Sequence, residues 1–183
     1  MSTTLTVVLK FLWYLFSRLL IWAVAIGFVV LAFFMAMDYM NTQTLTKDGL
    51  QVRAQVVLKG GDPTTLSKIF SKNFLENDKM LDSNVYQQFK VSDFDYRADI
   101  GFTLIFPWQK IVTLHVTEEV SNIVADAYSS ENNDINETVP QWKNAIYNIT
   151  LIRYEDNWRI TSMDLLELLP EPTPSPSLSK ILE

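Results

Sequence analysis

One stretch of the chain, Leu19 to Met37, constrains its fold more than any other, because it has nineteen residues and no charged side chain. At about 1.5 Å per residue, a helix of this length extends roughly 28 Å, close to the roughly 30 Å thickness of the hydrocarbon layer of a bilayer. The stretch therefore predicts a transmembrane helix over residues 19–37.

Two other interpretations of this stretch are a cleaved signal peptide and a buried core helix. A signal peptide usually has an apolar core of about 7 to 15 residues and small residues before its cleavage site. This run is longer, and it places the bulky Phe34 where a small residue is needed. A run this long and uniformly apolar is also unusual for a core helix. We therefore favour an uncleaved signal anchor.

Residues 1–18 form a short basic tail in which Lys10 and Arg18 are the only charged side chains. Trp13 and Tyr14 occupy the position of an aromatic belt beside lipid headgroups. The segment after the span begins with Asp38 and has no excess of basic residues. By the positive-inside rule, the N-terminus is expected in the cytoplasm and the C-terminal domain outside the cell membrane.

The segment after the span is acidic, because it contains all 21 acidic residues and every basic residue except Lys10 and Arg18. Such a surface repels phosphate backbones, which argues against nucleic acid as a partner. The chain has no cysteine and one histidine, so it lacks a disulfide framework and thiolate metal sites. It also lacks a glycine-rich phosphate loop and the usual metal-ligand spacings. No metal or other cofactor is predicted.

The remaining chain has the length of one soluble domain, which we place at residues 45–169. A linker over residues 38–44 is expected before this domain. After it, residues 170–183 contain alternating prolines with Ser and Thr, a composition typical of an extended, disordered tail.

The domain begins with two predicted helices. In the first, apolar residues recur at spacings of four and three between Leu50 and Leu58, which is typical of one helical face. Gly60 and Gly61 end this helix, and Asp62-Pro63 is a typical start for the next. The second helix is expected to continue to about Asn77.

Four strands follow. Alternating apolar and polar residues predict a strand over 94–106, and a turn at residues 107–110 leads to a second strand over 111–118. Residues 118–128 fit either a helix or a strand, and we favour a continued or bent strand. Residues 129–140 form a polar loop. Residues 142–154 and 158–166 then predict a hairpin with a tight turn at 155–157.

Two pieces of the sequence resemble the nuclear transport factor 2-like superfamily. They are the Gly61-Asp62-Pro63 turn, with Leu66, Phe70 and Phe74 downstream, and the hairpin over 147–160 that contains Trp158. The resemblance implies an α+β domain with a cystatin-like fold, in which two or three helices pack into a bent antiparallel sheet to form a cone. Behind one membrane span, such a domain is similar to bitopic assembly subunits of type IV secretion and conjugation channels. This chain departs from those subunits in its very short cytoplasmic tail.

Several members of the superfamily use the cone as an active site with a carboxylate or histidine beside a tyrosine. The matching residue types here are Asp93, Asp95, Asp99, Tyr96, His115 and Tyr147. The alternation of the first strand, however, places the three aspartates opposite its apolar side chains, on the solvent face. His115 lies on the same side of its strand as Thr113 and Thr117, and we favour an ordinary surface or pocket-rim histidine over a catalytic one.

The aromatic residues permit two interpretations. Trp108, Trp142, Tyr147, Tyr154 and Trp158 could line a ligand pocket or an interaction face, or they could fill the core, as aromatics in strands usually do. Trp108 is the hardest to bury, because it lies in a turn. The residues predicted to form a pocket or an interaction surface are Tyr96, Trp108, His115, Trp142, Tyr147 and Trp158.

Two functions are compatible with this organisation. The first is a non-enzymatic interaction or assembly module, anchored once in the membrane and working with other membrane or envelope proteins or with further copies of itself, as in secretion, conjugation or sporulation complexes. The second is a cone that binds a small hydrophobic ligand or catalyses an isomerase or dehydratase-like step. A deep pocket would favour the second function, and a core plugged by Phe70 and Phe74 would favour the first.

Overall fold

The computed structural model describes residues 3–127, 139–155 and 157–170. Among these residues the fold is α+β, with a long N-terminal helix and a four-stranded antiparallel sheet that does not close into a barrel, which confirms the predicted fold class. The elements are helix α1 (Thr3–Lys59), a 3₁₀ helix (Pro63–Lys68), helix α2 (Lys72–Asn77), and strands β1 (Phe89–Ile100), β2 (Ile111–Ala127), β3 (Ala145–Tyr154) and β4 (Asn157–Leu168). The strands are adjacent in the sheet in chain order.

Two compact units make up the described chain. The first consists of the chain up to Met40 together with Leu104–Trp108, and the second contains the rest. In the first unit, the apolar side chains of α1 are exposed over most of their surface. This helix is long and apolar enough to cross a membrane, which is consistent with the predicted single-pass anchor.

The linker predicted over residues 38–44 is wrong, because α1 continues without a break from Thr3 to Lys59. Residues 38–44 contain neither glycine nor proline, so nothing in the local sequence ends the helix. Thr42 is also fully buried, and thus already belongs to the face of α1 that packs in the second unit. The helix ends at Lys59 and is followed by Gly60, whose positive φ of 68° suits a glycine.

The second predicted helix is divided into two short ones. Asp62 caps the 3₁₀ helix by accepting a hydrogen bond from the Thr64 N–H at 2.9 Å, as the Asp-Pro pair predicts. Between the 3₁₀ helix and α2, Phe70 instead forms a parallel bridge with Ile160 of β4. The N–H of Ser71 donates to the carbonyl of Ile160 at 2.8 Å, and these sheet-like bonds interrupt the helix.

The first predicted strand is displaced toward the N-terminus. Strand β1 begins at Phe89 and ends at Ile100, although the alternation of apolar residues continues to Phe106. Strand β2 is one long strand, as favoured for residues 118–128, and it contains Asn122 with a φ of 51°. The register between β1 and β2 shifts next to this residue, which is typical of a β-bulge.

The predicted hairpin is confirmed, with Tyr154 of β3 opposite Asn157 of β4. Strand β3 begins at Ala145, so Trp142, expected to start this strand, precedes it. Most of the predicted polar loop (129–138), the middle of the hairpin turn (Asp156) and most of the predicted tail (171–183) lie outside the described residues.

The core of the second unit lies between one face of the sheet and the C-terminal part of α1. We call this side of the sheet the core face. Alternate residues of β2 from Val112 to Val120 lie on it, and α1 contributes Leu50, Ala54 and Leu58. One cluster of the core contains Ala54, Leu58, Tyr86, Val91, Val120 and Trp142.

Candidate functional site

A buried ion pair joins α1 to the segment that follows α2. The guanidinium of Arg53 donates two hydrogen bonds to Asp78, from Nε to Oδ2 at 2.6 Å and from its terminal nitrogen to Oδ1 at 2.9 Å. Both side chains are almost fully buried. Asp78 also accepts a bond from the Met80 N–H at 3.0 Å. This bidentate geometry offsets part of the cost of removing both charges from water.

Glu118 places a second carboxyl group in the core. It is 0 % exposed and lies on the core face of β2. Its neighbours across the sheet are Ala98 of β1 and Ala145 of β3, whose small side chains leave room for it. Tyr96 donates its hydroxyl to Oε1 at 3.4 Å. The other oxygen, Oε2, is buried and has no hydrogen-bond partner among the described residues.

The two carboxyl groups differ in their electrostatic environment. Burial raises the pKa of Glu118, and the charge of Arg53 and the polar groups of Tyr96 and Trp142 oppose this shift without cancelling it. Burial also disfavours the charged form of Arg53, but its hydrogen bonds and attraction to Asp78 raise its pKa overall. The charged form is therefore favoured for Arg53, and burial shifts Glu118 toward its protonated form.

Three of the six predicted site residues belong to this cluster. Tyr96 contacts Glu118 directly, and Trp142 is buried close enough to influence the pKa of Glu118. The pKa of the Tyr147 hydroxyl is raised by burial and then by the charge of Glu118. Glu118 therefore has one tyrosine hydroxyl, that of Tyr96, within hydrogen-bond distance, and a second tyrosine, Tyr147, within reach of its charge.

The other three predicted residues lie elsewhere. His115 is exposed at the surface, on the opposite face of β2, with Nδ1 3.4 Å from Oδ1 of Asn148. Trp158 is buried under the guanidinium of Arg153, which lies 4.5 Å from its ring centre. Trp108 lies in the β1–β2 loop, exposed and stacked on Phe106.

The aspartates of β1 are exposed, as their alternation predicts. Asp95 accepts a hydrogen bond from the Asn122 side chain at 2.6 Å. Asp99 pairs with Arg97 at 2.8 Å in an exposed salt bridge. None of the three belongs to the buried cluster.

Glu118 was missed as a site residue although the sequence contains a signal for it. In β2, positions 112, 114, 116, 118 and 120 alternate with polar residues, and only position 118 of this series is charged. A single carboxylate at a position that the strand period assigns to the core is unusual. Arg53 shows the same signal, because it lies next to Ala54 on the packed side of α1.

The described residues do not cover the core face of the sheet over its whole width. Across the strands, Val116 is fully buried, Tyr147 is half-buried and Leu165 of β4 is 54 % exposed. In the next row, Glu118 and Ala145 are fully buried but Leu168 is 55 % exposed. The exposed apolar area on this margin, which we call the β4 patch, consists of Tyr147, Met163, Leu165 and Leu168.

In comparisons with known proteins, the chain matches no family model, no curated protein and no solved structure.

Proposed function

We propose that this chain is a membrane-anchored interaction module of the nuclear transport factor 2-like type. Helix α1 crosses the cell membrane once, with the N-terminus in the cytoplasm. The α+β domain outside binds another protein held in the same membrane, as in bacterial secretion, conjugation or sporulation complexes. Support for the domain type comes from the packing of Leu50, Ala54 and Leu58 of α1 on the core face of the antiparallel sheet.

The observation that carries this proposal is the β4 patch. Leucines on the core face of a sheet are normally covered, yet Leu165 and Leu168 are more than half exposed. Exposed apolar side chains grouped in this way mark binding surfaces. Two proteins anchored in the same membrane have a high effective concentration for each other. A patch with low intrinsic affinity can therefore still bind a neighbouring membrane protein.

The edge of β4 supports binding through these side chains rather than through open-ended strand pairing. Glu167 lies opposite Ile146 but Leu165 lies opposite Tyr147, so Leu166 is an extra residue in β4. Such a bulge disrupts the edge, and the charges of Asp164 and Glu167 discourage addition of further strands. The patch therefore favours a specific partner over aggregation.

A paired-variant experiment tests this function. The full chain is solubilised in mild detergent from its native membrane, and the mass of the complex is measured by native electrophoresis. We expect the double variant Leu165→Ser/Leu168→Ser to lose the complex and to run as the isolated chain. The control, Ile111→Ser, alters a residue of similar exposure on the opposite face of the sheet. If the double variant and the wild type form the same complex, the β4 patch is not the binding surface.

The second candidate function is a ligand-binding or acid–base cone, and Glu118 is the observation that favours it. A fully buried carboxyl group with a raised pKa and an unpaired oxygen resembles the acid–base groups of active sites. The neighbouring core opposes it, because Phe70 is fully buried and stacks on Phe74 with ring centres 4.9 Å apart. This packing supports the interaction module over a cone with an open pocket.

Native mass spectrometry of the purified full chain distinguishes the two functions. A small molecule that co-purifies at a fixed ratio, and is lost from Glu118→Ala but retained in Glu167→Ala, would support the ligand-binding cone. A chain that carries no such molecule would contradict it.

A further inference from the structure

The loop between β1 and β2 contains a second group of exposed apolar side chains, in Leu104–Trp108. Leu104 is 58 % exposed and Trp108 is 67 % exposed, whereas Ile105 between them is 1 % exposed. The rings of Phe106 and Trp108 stack with their centres 5.1 Å apart. The loop is thus fixed by one buried residue and presents larger apolar groups at its surface.

This loop belongs to the same compact unit as α1 up to Met40. On that part of the helix, Met35, Asp38 and Tyr39 are half-buried, although the neighbouring Met37 and Met40 are largely exposed. The half-buried residues follow one side of the helix, because spacings of three and four bring side chains to the same face. The loop therefore clusters with the helix at the end of its apolar run, where Asp38 is the first charged residue.

The position and chemistry of the loop fit a membrane interface. Tryptophan is enriched at the level of lipid headgroups, where its ring contacts the apolar layer and its N–H remains close to water. Residues 101–110 contain no acidic side chain and one basic one, Lys110, so the loop does not repel anionic headgroups.

We propose that Leu104–Trp108 is a second membrane contact, in which Leu104 and Trp108 insert into the interface of the bilayer that α1 crosses. The occupant of this surface is lipid, because the exposed loop residues continue the apolar surface of the helix beside them. The inference rests on the proposed membrane anchor. It adds that a loop distant from the span in sequence also contacts the bilayer.

Single-cysteine labelling can test this contact, because the chain has no native cysteine. Three full-length variants are labelled with an environment-sensitive fluorophore: Trp108→Cys in the loop, Val29→Cys in the span and Lys68→Cys on the exposed 3₁₀ helix. Each is reconstituted into vesicles of phosphatidylcholine and phosphatidylglycerol. Quenching is measured with aqueous iodide and with nitroxides attached either to the headgroup or to the acyl chain. Leu104→Cys provides a second loop position.

We expect iodide to quench the Trp108→Cys probe severalfold less than the Lys68→Cys probe, and headgroup nitroxide to quench it strongly. Equal iodide quenching at the two positions, with the Val29→Cys probe still protected, would overturn the loop contact and leave the anchor intact. A loop probe protected from iodide but insensitive to both nitroxides would show a protein cover and also overturn the proposal. An iodide-accessible Val29→Cys probe would refute the anchor and the loop contact together.

Discussion

At the scale of single residues, the core combines an ion pair with a separate carboxyl group. Arg53 is paired with Asp78 through two hydrogen bonds. It interacts with Glu118 through its charge. The two alanines on either side of Glu118 allow it to fit within the sheet. The interior therefore contains one carboxyl group, that of Glu118, whose pKa burial raises.

Glu118 makes the stability of the domain depend on pH. Its pKa is raised on folding by burial, so the unfolded chain loses this proton first, and stability falls as the pH rises from the unfolded pKa through the folded pKa. We expect Glu118→Gln to remove this fall and to unfold at higher temperature than the wild type at neutral pH. The unfolding temperature of the full chain is measured at a series of pH values, with tryptophan circular dichroism as the signal. An unchanged pH profile would contradict the assignment, and the exposed Glu167→Gln is the control.

The Arg53–Asp78 pair predicts a large difference between two arginine variants. Arg53→Ala leaves the carboxylate of Asp78 buried without its partner, which costs about 3–5 kcal/mol of unfolding free energy. Arg97→Ala breaks the exposed pair with Asp99, which costs at most about 1 kcal/mol. Denaturant unfolding of the full chain in detergent compares them. Equal losses would show that the buried pair does not support the fold as described.

At the scale of elements, α1 packs closely because it has a small residue at the contact. A Cβ added to Gly49 would lie 2.6 Å from Cγ2 of Ile69. The β-branched Ile69 cannot move this methyl group freely, so the backbones of α1 and the segment after the 3₁₀ helix must separate. Gly49 is thus a packing requirement rather than a weak point of the helix.

We expect Gly49→Ala to lower the free energy of unfolding by about 1–3 kcal/mol through overpacking, although alanine favours helix formation by about 1 kcal/mol. Gly27→Ala is the matched control, because nothing lies within 4 Å of a Cβ added there. The free energies of unfolding of the two full-length variants, measured with denaturant, separate the overpacking at position 49 from the gain in helix propensity. A stabilised Gly49→Ala variant would show that the contact between α1 and Ile69 is looser than described.

The sequence predicted correctly those elements whose bounds are determined by the residues within them. The β3–β4 hairpin was predictable because apolar periodicity and a short polar turn coincide at residues 154–157. The end of β1 was not predictable, because residues 102–106 continue the alternation of apolar and polar residues although they lie outside the sheet. The break at Phe70 depends on a bridge to Ile160, far away in the sequence. Tyr96, Trp142 and Tyr147 were identified from residue type alone, and Glu118 required knowing which face of β2 is buried.

At the scale of the whole molecule, the proposed topology places the domain outside the cell. Lys10 and Arg18 precede the span and no basic excess follows it, so we expect a membrane-impermeant maleimide to label Lys68→Cys in intact cells. Thr6→Cys, on the N-terminal side of the span, should be labelled only after the membrane is permeabilised. The reverse pattern would show that the domain faces the cytoplasm.

The β4 patch is the surface that we propose binds another membrane-held protein. Photo-crosslinking tests it most directly, with a benzophenone amino acid placed at Leu165 or at Thr113 of the full chain in its native membrane. Both positions are exposed, but they lie on opposite faces of the sheet. We expect a defined protein adduct, either with a second copy of the chain or with another protein, from Leu165 and none from Thr113. No adduct from Leu165, or the same adducts from both positions, would contradict it.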